Sequence, residues 1–226
     1  MDVKLLQRVK VLDTDHLAQT VLEVLQTEGY QRPLFVMDSF LAQVPLVQET
    51  QALLEKSGIT VSVFDQVVSD PPAQTIRDGV TAFGAAHADS LIAIGGGSSI
   101  DVARGINIVR VNGGDILDYT DTQKSIEPCP GLIAIPTTSG TGSELSNELV
   151  VTDVATEKKV AILADNAVSE YAILNPDLLL SLTKKMTIAT GLDAFSHAAE
   201  GYTSRLASPV TDAICEKVMF LLWQIL

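Results

Sequence analysis

Three consecutive glycines, Gly95–Gly97, have a setting that suits the binding of a phosphate group. They follow Ser90–Ile94, a short apolar run that predicts a buried strand, and they precede Ile100–Ile106, which predicts a helix start. Glycines let the backbone turn sharply and approach a ligand, and the helix N-terminus offers unpaired N–H groups with a partial positive charge. Ser98 and Ser99 add hydroxyl donors. The alternative is a turn that only joins strand to helix, because a glycine-rich turn alone is a weak signal. The pattern is also not GxGxxG, so the standard Rossmann fingerprint does not apply.

A second polar turn, Pro136–Glu144, also follows an apolar strand-like run, Leu132–Ile135. It contains three threonines, two serines and two glycines. Two such turns, each closing a strand, are expected at the same edge of a parallel sheet, where α/β proteins bind their ligands.

Asp193 and His197 are four residues apart in a segment that predicts a helix, so both face the same side. A carboxylate oxygen and an imidazole nitrogen together suit Fe²⁺ or Zn²⁺. A catalytic metal needs about three protein ligands, and only these two are visible in the pattern. The alternative is an ordinary helical ion pair or hydrogen bond. The other histidines, His16 and His87, are predicted to be solvated side chains.

Asp38 follows the predicted strand Leu34–Met37. An acidic residue at the end of an early strand can accept hydrogen bonds from a ribose diol and repel a 2′-phosphate. The alternative is a cap for the helix that follows.

Predicted helices and strands, which must position these residues, alternate along the chain. Helices are predicted at 15–29, at 43–57 and from Pro72 to about Ala88, between strands at Leu34–Met37, Ile59–Phe64 and Ser90–Ile94. Further on, the pattern predicts a strand at Leu132–Ile135, a hairpin of Glu148–Thr152 with Lys159–Leu163, and a strand at Ala172–Leu174. This order predicts the α/β class, with a parallel sheet and helices on both faces.

From Leu178 onward no strand pattern returns. Helices are predicted at 187–201 and from about Pro209 to the end of the sequence. We therefore predict an α/β nucleotide-binding domain over 1–180 and the beginning of an all-α, metal-binding domain over 181–226.

Composition limits the class of protein. The chain has 226 residues, 46% of them hydrophobic, and a formal net charge of −13. This charge argues against nucleic acid or an anionic membrane as a partner. Cys129 and Cys215 form neither a disulfide framework nor a zinc motif, and we expect both to be small buried side chains. No signal peptide and no run of about 18 apolar residues is present, so we expect a cytoplasmic protein.

Together these stretches resemble the iron-containing (group III) alcohol dehydrogenase family. The motifs are Gly95–Ser98 with Asp101, Pro136–Glu144, and Gly191–Tyr202. The resemblance implies an α/β cofactor domain, a helical C-terminal domain and a site in the cleft between them, as in the dehydroquinate synthase-like fold. It also implies an oxidoreductase that transfers a hydride between NAD and small alcohols, diols or aldehydes, with Fe²⁺ or alternatively Zn²⁺.

The resemblance assigns a role to each candidate residue. It implies that the pyrophosphate is held by Gly96, Gly97 and Ser98, with Asp101 supporting the cofactor. Thr137, Thr138 and Thr141 would line the nucleotide, and Lys159 would lie near the nicotinamide ribose. Asp38 matches the position that favours NAD over NADP, and Asp193 and His197 match the first two metal ligands.

The sequence departs from the family pattern in several places. The family has two more metal-binding histidines further along, beyond the position of Leu226, so we expect a fragment. Asp70 stands where relatives often have Asn, Arg104 where they often have Lys, and Thr183 where Pro is common.

Three functional hypotheses follow. The first is an NAD-dependent, metal-dependent alcohol dehydrogenase. The second is an inactive remnant that still binds nucleotide, which the missing ligands favour. The third is a lyase of the dehydroquinate synthase type, although the Thr137–Glu144 turn and the Gly191–Tyr202 helix resemble the alcohol dehydrogenases instead. The last helix would also present an apolar face of Ile214, Val218, Leu221 and Leu222, which predicts aggregation or association between copies.

Overall fold

A computed structural model describes residues 8–225 of the chain. The elements run in the order β1 (Lys10–Asp13), α1 (Leu17–Glu28), β2 (Pro33–Val36), α2 (Pro45–Lys56), β3 (Ser62–Phe64), α3 (Ala73–Ala85), β4 (Ser90–Gly95), α4 (Gly97–Asn112), β5 (Leu132–Pro136), β6 (Glu148–Asp153), β7 (Lys158–Leu163), β8 (Tyr171–Leu174), α5 (Lys184–Thr203) and α6 (Pro209–Ile225). Short 3-10 turns occur at 41–43, 116–120, 165–167 and 176–181.

Six of the strands form one parallel sheet in the order β1-β8-β5-β4-β2-β3. In the centre, β4 pairs with β5 so that Gly95 stands opposite Pro136. The glycine turn (Gly95–Gly97) and the threonine-rich turn (Pro136–Glu144) therefore leave the sheet side by side at its carboxyl edge, as the sequence predicted. The α/β prediction is confirmed, and so is the predicted antiparallel hairpin, which is formed by β6 and β7.

Apolar side chains cover both faces of the sheet. On one face the core joins α3, α4 and the hairpin, with Ile76, Ile106 and Leu149 among its buried members. On the other face α1 and α2 contribute Leu25 and Leu54. Every residue of β4 and β5 is buried, which explains why their sequences are continuous apolar runs.

The structure differs from the sequence prediction in one strand and in several boundaries, of which those of β3 and α4 have a clear cause. The edge strand β1 was not predicted, because three of its four residues are exposed and no apolar pattern marks it. Strand β3 starts at Ser62 rather than Ile59, since the Ile59 N–H bonds the Leu54 carbonyl and closes α2. Helix α4 starts at Gly97 rather than Ile100, because Gly96 is its extended N-cap residue.

The last two helices, α5 and α6, pack against each other. None of the α6 residues that the structure describes is buried, and Ile214 and Trp223 are 58% and 82% exposed. Cys215 in α6 is only half-buried, so the expectation of two buried cysteines is wrong for it and confirmed for Cys129. In residues 8–225, the structure contains no helix both long and apolar enough to span a membrane.

Helices α3 and α4 interlock through two glycines. A Cβ at Gly79 would lie 2.3 Å from Cδ1 of Ile106, and a Cβ at Gly105 would lie 2.5 Å from Cδ1 of Ile76. Each helix thus provides a notch for an isoleucine of the other. This contact fixes the position of α4, whose N-terminus carries the glycine turn.

We expect Gly105→Ala to lower the free energy of unfolding by about 1–3 kcal/mol, because the new methyl group overpacks a buried contact. Urea denaturation measures this change. Gly84→Ala is the matched control, since a Cβ on this α3 residue meets nothing within 4 Å. The control is expected to leave stability unchanged or raise it by up to about 1 kcal/mol. Equal effects of the two variants would contradict the interlock.

Candidate functional site

A cavity of about 440 Å³ opens at the carboxyl edge of the sheet. Its wall combines the glycine turn and start of α4, the threonine-rich turn, the loops after β2 and β3, and the first turns of α5. The lining residues include Asp38, Ser69, Gly96, Gly97, Ser98, Ser99, Thr137, Thr138, Thr141, Thr183, Met186 and Thr190. Seven of the predicted cofactor residues (Asp38, Gly96, Gly97, Ser98, Thr137, Thr138 and Thr141) therefore share one cavity.

The glycine turn has almost no room for side chains. A Cβ at Gly95, whose φ is +152°, would lie 2.2 Å from Oγ of Ser99. At Gly97 a Cβ would meet Oγ of Ser143 at 3.1 Å and Cγ2 of Thr141 at 3.2 Å. The threonine-rich turn therefore closes directly over the N-terminus of α4. This narrow cradle, with helix N–H groups at its base, fits a phosphate group.

The threonines supply polar atoms to the same cradle. Thr137 is buried, and its N–H donates to the Gly95 carbonyl at 2.9 Å, which joins the two turns. The Thr138 hydroxyl is inaccessible to water and has no hydrogen-bond partner among the described residues. Its Oγ1 would lie 3.3 Å from a Cβ at Gly96. An orphaned hydroxyl at this point fits a polar ligand.

Asp38 lines the cavity and also caps the chain that follows it. Its Oδ1 accepts hydrogen bonds from the N–H groups of Phe40 and Leu41, at 2.9 and 3.0 Å. The capping role considered from the sequence is therefore present. Both bonds use Oδ1, so the capping role leaves Oδ2 as a second acceptor at the cavity wall.

Asp101 does not line the cavity but forms a buried pair with Arg104. Its Oδ2 accepts from the Val150 N–H at 3.0 Å, and its Oδ1 lies 3.8 Å from Nη1 of Arg104. The fully buried Arg104 guanidinium donates to the carbonyls of Glu148 and Ser143. The pair thus ties both the hairpin and the end of the threonine-rich turn to α4. We call this arrangement the Asp101–Arg104 clamp.

The clamp was missed from the sequence because the residues that it joins are 39 to 49 positions apart and the partners of Arg104 are backbone carbonyls. The i, i+3 spacing of Asp101 and Arg104 was the one available signal. Burial raises the pKa of the Asp101 carboxyl from 3.8 to about 6, although the Val150 N–H and Arg104 oppose this rise. Burial also lowers the pKa of Arg104.

The raised pKa predicts a pH-dependent stability. The Asp101 carboxyl holds its proton more tightly in the folded protein than in the unfolded chain. Protonated Asp101 therefore adds to the free energy of unfolding, fully below about pH 4, and this addition is lost as pH rises through 6. We expect Asp101→Asn, whose amide oxygen still accepts from Val150, to remove this dependence. The difference in free energy of unfolding between wild type and variant should change by about 2–3 kcal/mol between pH 4 and 8. A pH-independent difference would contradict this prediction.

Lys159 also lies outside the cavity lining. Its Nζ is 2.6 Å from Oδ1 of Asp70, and both side chains are more than half exposed. The Thr152 hydroxyl donates to the Asp70 carbonyl, so the hairpin holds the loop that carries Ser69 on the cavity wall. An exposed pair of this kind contributes little to stability.

Asp193 and His197 lie on α5, whose first turns form the outer wall of the cavity. Oδ1 of Asp193 and Nε2 of His197 are 3.8 Å apart, and the two side chains are 43% and 55% exposed. Oxygen and nitrogen ligands of one metal ion lie roughly 3–3.5 Å apart, so a small side-chain rotation would let the two share an ion. Within residues 8–225, no group of three or more His, Cys, Asp or Glu side chains converges as a metal site.

The remaining sequence candidates lie elsewhere. His16 and His87 are exposed, as predicted for solvated side chains. Thr183, the departure from the common proline, caps α5, because its hydroxyl accepts from the Met186 N–H at 3.3 Å.

Two family models match the chain. The model for iron-containing alcohol dehydrogenase covers residues 10–176, and the model for the C-terminal part of the same family covers residues 187–226. The chain belongs to the iron-containing alcohol dehydrogenase family. The resemblance seen in the sequence motifs is thereby confirmed.

Individual relatives within the iron-containing alcohol dehydrogenases support the assignment. The NAD-dependent methanol dehydrogenase of Bacillus methanolicus is 37% identical over 198 residues, which are 88% of this chain and 52% of that protein. The 1,3-propanediol dehydrogenase of Citrobacter freundii is 36% identical over 187 residues, covering 82% of this chain and 48% of that protein. The chain thus spans about half the length of these curated relatives.

Solved structures of the family share the fold. A 1,3-propanediol oxidoreductase superposes with a TM-score of 0.88 at 31% identity, covering 98% of this chain and 59% of that one. A sulfoacetaldehyde reductase from Bifidobacterium kashiwanohense, solved in complex with NAD⁺, gives a TM-score of 0.90 at 28% identity, covering 99% and 59%. The fold predicted from the sequence is therefore confirmed.

Proposed function

We propose that this protein acts as an NAD-dependent, metal-dependent alcohol dehydrogenase that oxidises small alcohols or diols, or reduces the matching aldehydes. The observation that carries the proposal is that both turns and helix α5 line the same cavity. One side is a phosphate cradle made by two turns, and the other is the helix that bears Asp193 and His197. The named activities of the relatives support the same reaction class.

Different residues would bind the cofactor and the metal. The N–H groups at the start of α4, with Gly96 and Gly97, would bind the pyrophosphate, and the Thr138 hydroxyl would donate to the nucleotide. Oδ2 of Asp38 would accept from the ribose. Asp193 and His197, which lie further along α5 than the cavity-lining Met186 and Thr190, would hold a divalent metal. When bound, NAD supplies hydride transfer and the metal supplies polarisation of the substrate oxygen.

A second candidate function is nucleotide binding without turnover. It is favoured by one observation, that Asp193 and His197 have no third His, Cys, Asp or Glu beside them in the described chain. A metal held by two protein ligands is bound more weakly than one held by three, and it has less fixed geometry. The two functions differ in whether the protein turns over an alcohol.

We also propose the division into an α/β domain over 1–180 and a helical domain over 181–226. The separate family matches to 10–176 and 187–226 support this division. The cytoplasm stays our prediction for the location, as do a small-molecule substrate, the absence of nucleic-acid and membrane partners, and association between copies.

The test is NADH formation by the purified protein with anaerobic Fe²⁺, NAD and 1,3-propanediol, alongside a direct measurement of NAD binding. We expect turnover that His197→Ala abolishes while NAD binding persists, because the metal ligand is separate from the cradle. The control is His87→Ala, which removes an exposed histidine that precedes the amino end of β4, whereas the cradle follows the carboxyl end of this strand. NAD binding without turnover in the wild type would favour the second function, and no NAD binding would contradict both.

Cofactor choice gives a second prediction. Asp38→Asn removes the negative charge but keeps the oxygen that accepts from Phe40 and Leu41. We expect the preference for NAD over NADP to fall about fivefold, because the repulsion between the carboxylate and a 2′-phosphate is worth roughly 1 kcal/mol in this setting. The dissociation constants of both cofactors measure the change, and the melting temperature should stay the same. An unchanged preference would contradict the proposed role of Asp38.

A further inference from the structure

Gly140 marks the point where the threonine-rich turn meets α5. A Cβ at this position would lie 2.1 Å from the carbonyl oxygen of Thr190 and 2.8 Å from its carbonyl carbon. These are backbone atoms within a helix, so they cannot rotate away as a side chain could. Any side chain at residue 140 would therefore push the turn and α5 apart.

The same glycine contacts His197. The Gly140 carbonyl oxygen lies 3.3 Å from Nδ1 of the imidazole. A carbonyl oxygen only accepts hydrogen bonds, so in the neutral ring this contact favours the tautomer with its proton on Nδ1. The lone pair is then on Nε2, the nitrogen that faces Oδ1 of Asp193 across 3.8 Å.

The alternative tautomer would put the proton on Nε2 and direct it toward Asp193. That arrangement would leave no lone pair on Nε2 for a metal. The Asp193 oxygen lies 3.8 Å from Nε2, beyond hydrogen-bond distance, whereas the Gly140 oxygen lies 3.3 Å from Nδ1, within it. The backbone contact therefore opposes the tautomer that would block the metal.

We propose that Gly140 is a positioning residue for the metal site. The absence of a side chain at Gly140 sets the distance between the threonine-rich turn and α5. Its carbonyl holds the His197 ring with Nε2 available to a metal. Hydrogen bonds of this type to the second nitrogen of a ligating imidazole orient the ring and raise its basicity. The role in metal binding rests on the proposed function, whereas the tautomer of His197 does not.

Nuclear magnetic resonance tests the tautomer without any metal. The chain has three histidines, so ¹⁵N-histidine labelling and long-range ¹H–¹⁵N correlation at about pH 8 would resolve each ring. We expect His197 to carry its proton on Nδ1, with the exposed His16 and His87 as internal references. A wild-type His197 that carries its proton on Nε2 would overturn the proposal.

Variants then test the cause. In Gly140→Ala we expect His197 to shift toward the Nε2–H tautomer, and in the control Gly84→Ala we expect no shift. The wild-type spectrum decides the proposal even if Gly140→Ala fails to fold. A folded Gly140→Ala protein with an unchanged tautomer would overturn it.

Metal titration gives a separate readout. We expect Gly140→Ala to weaken Co²⁺ binding by about 10–100-fold, measured by calorimetry, with Gly84→Ala like the wild type. Equal affinities in wild type and Gly140→Ala would overturn the positioning role. A wild type that binds no Co²⁺ would contradict the proposed metal function, and the tautomer measurement would still decide the inference about His197.

Discussion

The pairing of β4 with β5 is the constraint on which the rest of the site depends. Because Gly95 stands opposite Pro136, both turns leave the sheet at the same level, and the Thr137 N–H reaches the Gly95 carbonyl. A slip of one residue in this register would turn the buried apolar side chains of β5 to the wrong face. The hydrophobic core therefore fixes where the polar turns meet, and the cradle follows from that position.

Much of the α/β architecture could be predicted from local patterns. Continuous apolar runs marked β4 and β5, and helical periodicity marked the helices, because burial on one or both faces leaves a regular trace in the sequence. The exposed edge strand β1 leaves no such trace. The start of α4 was also misplaced, since glycines and serines have weak helix propensity and only the surrounding turns hold Gly97 in the first position of the helix.

In the candidate site, too, some residues could be predicted from the sequence and others could not. Residues that face the cavity, such as Thr138 and Asp38, could be found because they lie in motifs at strand ends. The Asp101–Arg104 clamp and Gly140 could not be assigned from spacing, because their roles depend on backbone carbonyls brought near by the fold. A sequence records which side chains are available, whereas carbonyl positions emerge only from tertiary structure.

The interlock of α3 and α4 has a consequence for ligand binding. Isoleucines seated in glycine notches oppose sliding between the two helices, so we expect α4 to keep its first N–H groups in nearly the same place when a ligand binds. A cradle of this rigidity loses little conformational entropy when it is filled. The affinity for a phosphate group at this end of α4 is thus determined in part by methyl groups on its far, buried side.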